Sequence, residues 1–279
     1  MSRQPSENHH WFPQCLMRPW EGSDNRVESF SIQPWGLSSR RKSTKAIGSE
    51  DNLHRIDLLD APNLFEAIFG RVESRFADAK WKAINKGISV LNRDERENFA
   101  FFVALLANRR AEKIKAASVA AADGFSQDLG DKLFSVDEHE ADCITKGLGN
   151  YIALRASMEF AAEICQEIVR LEWRIIDFSA VTLKLVLADR PVRAWSEDAK
   201  LTQLTLPLGP DHLFVAGKFP PHKEIIFGDS FRELLAVDII GNQFRQAANF
   251  VVACSREPYF NLAENIMKNA NETPPKGTL

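Results

Sequence analysis

The residues that could carry out chemistry are an imidazole, three carboxylates and a guanidinium, spread along the chain. His10 lies near the start, Glu66 and Glu73 lie seven residues apart, and Arg109 and Asp189 follow. An imidazole with carboxylates can bind a divalent metal or carry out acid–base steps, and a guanidinium can stabilise an anion. We therefore predict that these five residues converge in one polar pocket.

Three roles are assigned to these residues and to two others on the last predicted helix. The residues predicted to act in catalysis are His10, Glu73 and Asp189. The residues predicted to bind substrate, because amide and guanidinium groups can hold anions, are Arg109, Asn242 and Arg245. The candidate ligands for a divalent metal are His10, Glu66, Glu73 and Asp189.

Each carboxylate also has a structural interpretation. Seven residues of helix place Glu66 and Glu73 on the same side, about 10 Å apart along the axis. An isolated buried charge is costly, so salt bridges to Arg109 and Arg110 are the alternative to a metal or acid–base site. Asp189 follows an apolar run and is equally suited to capping a turn. The alternative for the amide and guanidinium of the last helix is to satisfy backbone ends or carboxylates.

Composition limits the classes of partner. The chain has 279 residues, a formal net charge of -3 and a pI near 6.1, so no overall positive field attracts nucleic acid or a membrane. The longest apolar run, 99–107, is too short to span a bilayer, and no signal-peptide pattern is present. The common phosphate-loop, dinucleotide, zinc-protease and serine-hydrolase motifs are missing. We expect a cytoplasmic protein without a membrane partner.

Periodicity predicts the elements that must position these residues. Helices are predicted at about 63–85 with Gly87 as the stop, from the capping box of Asn92 and Glu95 to about Ala121, at about 151–171, and from Ser230 to Val252. Strands are predicted at 26–32, 173–178, 183–188, 205–208 and 213–216. The basic stretch 36–45 is interpreted as a loop, either solvated or in contact with phosphate.

The order of these elements predicts an α+β fold. It is mostly helical, with a small, largely antiparallel sheet built from the N-terminal strand and the strands in 173–216. We predict a single domain over residues 9–262, between a disordered tail at 1–8 and a loose tail at 263–279.

The segment HHWFPQCLMRPW, residues 9–20, is unusually rich in aromatic residues for a position near a terminus. Pro13 is predicted to begin a short helix that runs to Met17 and is stopped by Pro19. The residues predicted to anchor the segment in the core are Trp11, Phe12, Leu16 and Trp20. The segment is therefore the wall of a site or a latch, and the neighbours of His10 decide between the two.

Several short motifs occur in an order that resembles the bacterial family called domain of unknown function 4238. The resemblance covers the chain from His10 to about Glu257. The motifs that carry it are the segment HWFPQCLMRPW at 10–20, the helix with Glu66 and Glu73, Arg109 at a helix end, the strand led by Trp173, Asp189 before Pro191, the stretch PLGP at 207–210, and Asn242. Met17, Ala111 and Ala188 depart from the residues usual in that pattern. The resemblance implies a bacterial protein and no particular reaction.

Two functions fit these residues. The first is a hydrolase-like enzyme, for example one that cleaves phosphodiesters as a nuclease or a toxin, with a divalent metal or acid–base pair in the pocket. The second is a non-catalytic binding or interaction protein, in which the same polar residues form a buried network that orders the fold.

Overall fold

The computed structural model describes residues 8–33, 36–57, 59, 61–129, 138–198, 200–219 and 228–270. The chain forms two compact units. The first unit combines the segment that ends at Phe12 with residues 48–79 and 93–169, and the second combines 13–47, 80–92 and the chain from Arg170 onwards. The prediction of a single domain over 9–262 stays a prediction. None of the helices described here has the length and apolar character needed to cross a membrane.

Long helices and one short strand pair make up the first unit. The helices are α2 (Leu64–Lys86), whose first sixteen residues belong here, α3 (Arg93–Asn108), α4 (Ala111–Leu129) and α5 (Glu138–Arg170). Strand β1 (Asn8–His10) pairs antiparallel with β4 (Ser49–Asp51), and His9 lies opposite Glu50. In the core, the ring of Phe76 stacks on Phe102 at 3.7 Å between centroids and also contacts Phe99.

Glycine at position 48 lets the N-terminal segment approach closely. The backbone N–H of Phe12 donates to the carbonyl of Gly48 at 3.0 Å. Gly48 has a φ of +66°, and a Cβ placed there would lie 2.4 Å from the Cβ of Phe12. Only glycine fits this turn without strain. The contact fixes β1 against the chain that enters β4.

Two four-stranded antiparallel sheets form the centre of the second unit. One has the order β3-β2-β10-β6, and its strands are β2 (Val27–Gln33), β3 (Gly36–Lys42), β6 (Leu187–Ala188) and β10 (Val251–Ala253). The other has the order β5-β9-β8-β7, and its strands are β5 (Glu172–Asp177), β7 (Arg193–Glu197), β8 (Lys200–Gly209) and β9 (His212–Gly217). Helices α1 (Gln14–Met17), α6 (Asp229–Gln246) and α7 (Tyr259–Ala270) complete the elements of this unit.

The α+β class and the antiparallel strands are confirmed. The predicted anchors are also buried, and the indole of Trp20 donates to the carbonyl of Leu185 at 2.7 Å. The short helix begins at Gln14, directly after Pro13, and a 3-10 turn from Arg18 to Trp20 contains Pro19. Gly87 follows the last residue of α2, as predicted.

Several expectations about the elements were wrong in detail. The helix predicted from Ser230 to Val252 ends at Gln246, and Val251–Ala253 is strand β10 instead. The single predicted sheet is two sheets: β2 shares one with β3, β10 and the short β6, whereas β5, β7, β8 and β9 form the other. The basic stretch 36–45 is mostly strand β3, whose seven residues pair with β2. β3 lies at the edge of its sheet, where charged side chains are tolerated because they discourage pairing with other chains.

The apolar run 183–188 is strand only at Leu187–Ala188. Before that, the backbone N–H of Leu185 donates to the carbonyl of Pro210, so the run follows the core without joining a ladder. The predicted loose tail from 263 is helical as far as Ala270, because Ala263 is buried in α7 beside Ile240 and Phe244. Residues 1–7 and 271–279 lie outside the described residues.

The helix predicted from Asn92 to about Ala121 is two helices. α3 ends at Asn108 and α4 begins at Ala111, so Arg109 and Arg110 form the junction. No proline or glycine marks this break in the sequence. At this junction the Arg109 side chain donates to the carbonyls of His10 and Trp11.

Candidate histidine–carboxylate site

Arg109 binds the N-terminal segment to helix α2. Its Nη2 donates to Oε1 of Glu73 at 2.7 Å and to the carbonyl of His10 at 3.1 Å, and its Nε donates to the carbonyl of Trp11 at 3.3 Å. The guanidinium also lies over the ring of Phe69, 4.5 Å from its centroid. The side chain of Arg109 is 2% exposed and that of Glu73 is 21% exposed. This group of contacts is called the Arg109 latch below.

The structure brings His10, Glu73 and Arg109 together, as the sequence predicts, but the contribution of His10 differs from the prediction. The backbone carbonyl of His10 accepts a hydrogen bond from Arg109. The salt-bridge alternative holds for Glu73, because that carboxylate pairs with Arg109. Arg110 is placed 3.9 Å from Glu112 instead.

Next to the latch, two other histidines meet Glu66. The imidazole Nδ1 of His54 lies 2.6 Å from Oε2 of Glu66. The ring of His9 stacks on that of His54, with centroids 5.5 Å apart and planes 9° apart, and its Nδ1 accepts the backbone N–H of His54 at 2.9 Å. One ligand atom from each of His9, His54 and Glu66 lies within 4.8 Å of the others. These three residues are called the histidine–carboxylate cluster.

The cluster is buried at one side and reaches solvent at the other. The His54 side chain is 0% exposed and that of Glu66 is 36% exposed. The edge of His54 meets the ring of Phe69 at 4.9 Å between centroids. The buried Nε2 of His54 has no hydrogen-bond partner among the described residues. A neutral imidazole that donates through Nδ1 therefore keeps an unused lone pair on Nε2.

The charges of the cluster follow from its surroundings. Burial lowers the pKa of His54 to about 4, and the nearby positive charge of Arg109 acts in the same direction, although the hydrogen bond to Glu66 opposes both. For Glu66, burial opposes ionisation, but the hydrogen bond from His54 and the charge of Arg109 outweigh it, so the pKa lies below its ordinary value. At neutral pH the cluster combines a neutral His54 with a carboxylate.

Asp189 lies in the second unit, directly after β6, and its carboxylate organises a turn. Oδ1 accepts the backbone N–H of Ala248, and Oδ2 accepts both the backbone and side-chain N–H groups of Asn249, at 2.7–2.8 Å. The residue is 2% exposed. Burial raises its pKa against the opposing effect of these three hydrogen bonds. These contacts match the turn-cap alternative.

Asn242 and Arg245 form a network on the outer side of α6. The amide of Asn242 donates to Asp238 at 2.9 Å, and Nη1 of Arg245 donates to the amide oxygen of Asn242 at 3.1 Å. Arg193 lies 3.6 Å from the same Asp238 carboxylate. This arrangement matches the alternative in which these groups satisfy a carboxylate.

Comparison with known proteins identifies the family. A family model described as "Protein of unknown function (DUF4238)" matches residues 8–257. The chain belongs to the DUF4238 family. No curated protein and no solved structure matches it. The match begins at the strand that carries His9 and includes both the Arg109 latch and the histidine–carboxylate cluster of this DUF4238 member.

Two residues of the cluster were missed from the sequence. His9 was passed over for His10, whose spacing to Pro13 carries the family resemblance. Side chains alternate along a strand, and in β1 the side chain of His9 is buried while its neighbour is only half-buried. His54 lies in a turn after β4, between the buried positions Leu53 and Ile56. A polar ring between buried positions is a signal of an inward histidine, but nothing in the sequence links it to Glu66.

Proposed function

We propose that this DUF4238 member is a hydrolase-like enzyme whose reactive group is the histidine–carboxylate cluster. The observation that carries the proposal is the 2.6 Å contact between a fully buried His54 and a half-exposed Glu66. A carboxylate held by an imidazole on one side and open to solvent on the other can orient a water molecule and accept its proton. We further propose that the protein works in the bacterial cytoplasm, as the sequence predicts.

The roles within the proposed site differ from those predicted. Glu66 faces solvent and would meet the substrate, whereas His54 orients Glu66 from within. Arg109 was predicted to bind substrate, but its Nε and Nη2 already donate to the latch, which supports a positioning role. Phosphodiesters are the first substrate class to test, since the sequence led to a nuclease or toxin.

A non-catalytic function is the second candidate, and the burial of Arg109 is the observation that favours it. A guanidinium with 2% exposure that holds two backbone carbonyls orders the fold whether or not a reaction occurs. In that case the cluster contributes to the same buried network, and the protein acts by binding a partner.

The experiment compares Glu66→Gln with wild type. Purified proteins are incubated with bis(p-nitrophenyl) phosphate and with single- and double-stranded DNA and RNA, with and without Mg²⁺, Mn²⁺ or Zn²⁺. Loss of the acid–base group is expected to lower the rate by about 10² to 10⁴. Glu163→Gln, which alters an exposed carboxylate on α5, is the matched control and is expected to keep the wild-type rate.

Equal rates for wild type and Glu66→Gln on every substrate would contradict the proposal. So would growth inhibition that is the same for both when each is expressed in bacterial cells. Circular dichroism of each variant checks that a lost rate is not a lost fold.

A further inference from the structure

We propose that the histidine–carboxylate cluster binds a divalent transition-metal ion, with His9, His54 and Glu66 as the protein ligands. For catalysis the inference rests on the proposed function, with Glu66 acting as a ligand of the ion rather than as a free base, but the binding itself is measured without any substrate. It replaces the ligand set predicted from the sequence, in which His10, Glu73 and Asp189 accompany Glu66.

Distance and donor type carry the proposal. One ligand atom from each residue lies within 4.8 Å of the others, which is close enough for all three to reach a single ion after small adjustments. Two imidazoles and one carboxylate are one of the donor sets found in catalytic zinc sites, which keep a fourth position open for water. Imidazole donors suit Zn²⁺ and its neighbours, whereas Mg²⁺ and Ca²⁺ prefer oxygen donors.

The unused lone pair of His54 is an independent observation. A buried polar atom without a partner is costly, and Nε2 of His54 is such an atom among the described residues. A metal ion would satisfy it. Glu66 contacts Nδ1 in this structure, so its carboxylate would move from Nδ1 to the ion when the ion binds.

The charges around the cluster are compatible with a cation. Metal ions of this class are held by neutral imidazole and ionised carboxylate groups, and the cluster supplies both kinds of donor. The guanidinium of Arg109 would repel a cation, but its ion pair with Glu73 at 2.7 Å offsets that charge. Glu66 is 36% exposed, so an ion can enter from its side.

Full-length protein is first treated with a chelator and dialysed. It is then titrated with ZnCl₂ by calorimetry, and a second sample is titrated with CoCl₂ to record the visible spectrum. We expect one Zn²⁺ per chain and Co²⁺ bands of a four- or five-coordinate site. His9→Gln and Glu66→Gln are each expected to weaken Zn²⁺ binding at least tenfold. The matched controls are His212→Gln, a half-buried histidine in β9, and Glu163→Gln, and both are expected to bind Zn²⁺ as wild type does.

Three results would overturn the inference. The first is that wild type binds neither Zn²⁺ nor Co²⁺ stoichiometrically. The second is that wild type and His9→Gln bind Zn²⁺ with equal affinity. The third is that His10→Gln loses more Zn²⁺ affinity than His9→Gln does. Because Glu66 is half-exposed, Glu66→Gln tests the ligand set even if a histidine variant fails to fold. Hydrolysis that persists at full rate without metal would overturn the catalytic use of the ion and leave the proposed function standing. Zn²⁺ binding by wild type without hydrolysis of any substrate would overturn the proposed function and leave the metal-binding inference standing.

Discussion

Replacing Arg109 with methionine tests whether the latch is structural. Methionine fills much of the same volume but removes every hydrogen bond from the guanidinium. The carbonyls of His10 and Trp11 lose their donor, and a buried acceptor without a partner costs about 1 to 3 kcal/mol. Glu73 is 21% exposed and can regain water, so its share of the loss is smaller. We expect Arg109→Met to lower the free energy of unfolding by about 3 to 4 kcal/mol, within the range for breaking a buried ion pair.

Equilibrium unfolding in urea measures this loss, followed by circular dichroism and by tryptophan fluorescence. The two probes are compared because the chain forms two compact units, and coincident transitions test whether unfolding is two-state. Glu73→Gln keeps an oxygen that can accept from Arg109 and leaves both carbonyl contacts in place, so its expected loss is only about 1 kcal/mol. Arg93→Met removes an exposed pair with Glu97 on α3 and serves as the control, with a midpoint equal to that of wild type.

Equal urea midpoints for Arg109→Met and Arg93→Met would contradict this prediction. Such a result would mean that the buried contacts of Arg109 contribute nothing to stability. It would return Arg109 to the role predicted from the sequence, a residue kept for an anionic substrate, because functional residues are often not optimal for stability.

Three further outcomes are expected. Gly48→Ala should lower the free energy of unfolding by about 1 to 3 kcal/mol in urea, since its Cβ would overlap Phe12, whereas Gly70→Ala on the open side of α2 should raise it slightly. Asp189→Asn should destabilise the protein and leave Zn²⁺ affinity unchanged by calorimetry. Burial raises the pKa of Tyr259 to about 12, so the contribution of its neutral phenol to the free energy of unfolding is complete below pH 10 and is lost as the pH rises towards 12. Absorbance at 295 nm should show a tyrosine ionisation above pH 10 that Tyr259→Phe removes.

Local signals predicted the parts of the fold that depend on neighbouring residues. The periodicity of α2, its stop at Gly87 and the anchors at Trp11 and Trp20 all arise from patterns within a few turns of chain. The salt bridge between Glu73 and Arg109 was predicted as the alternative to a metal or acid–base site, because it requires only that two helices lie side by side. The antiparallel strands followed from the order of elements.

The break at Arg109 could not be predicted in this way. The sequence from Asn92 onwards favours helix on both sides of the junction, and neither proline nor glycine interrupts it. What accompanies the break are the hydrogen bonds from Arg109 to the carbonyls of His10 and Trp11, almost a hundred residues earlier. Helix propensity is a weak preference that tertiary contacts of this size override. His54 was not predicted for a related reason, because its contact with His9 joins residues that are 45 apart in the sequence.

Strand β1 combines the two interpretations of segment 9–20, the wall of a site and a latch, which the sequence analysis treats as exclusive. Its backbone is held by the Arg109 latch through the carbonyls of His10 and Trp11, and this part is structural. The ring of His9 stacks on His54, and this part belongs to the proposed site. Because successive side chains of a strand point to opposite faces, His10 and His9 lie on opposite faces of β1, and the sequence prediction used the other face from the proposed site. A latch that fixes the backbone is what a precise placement of His9 requires, so a stabilising Arg109 supports the proposed site rather than competing with it.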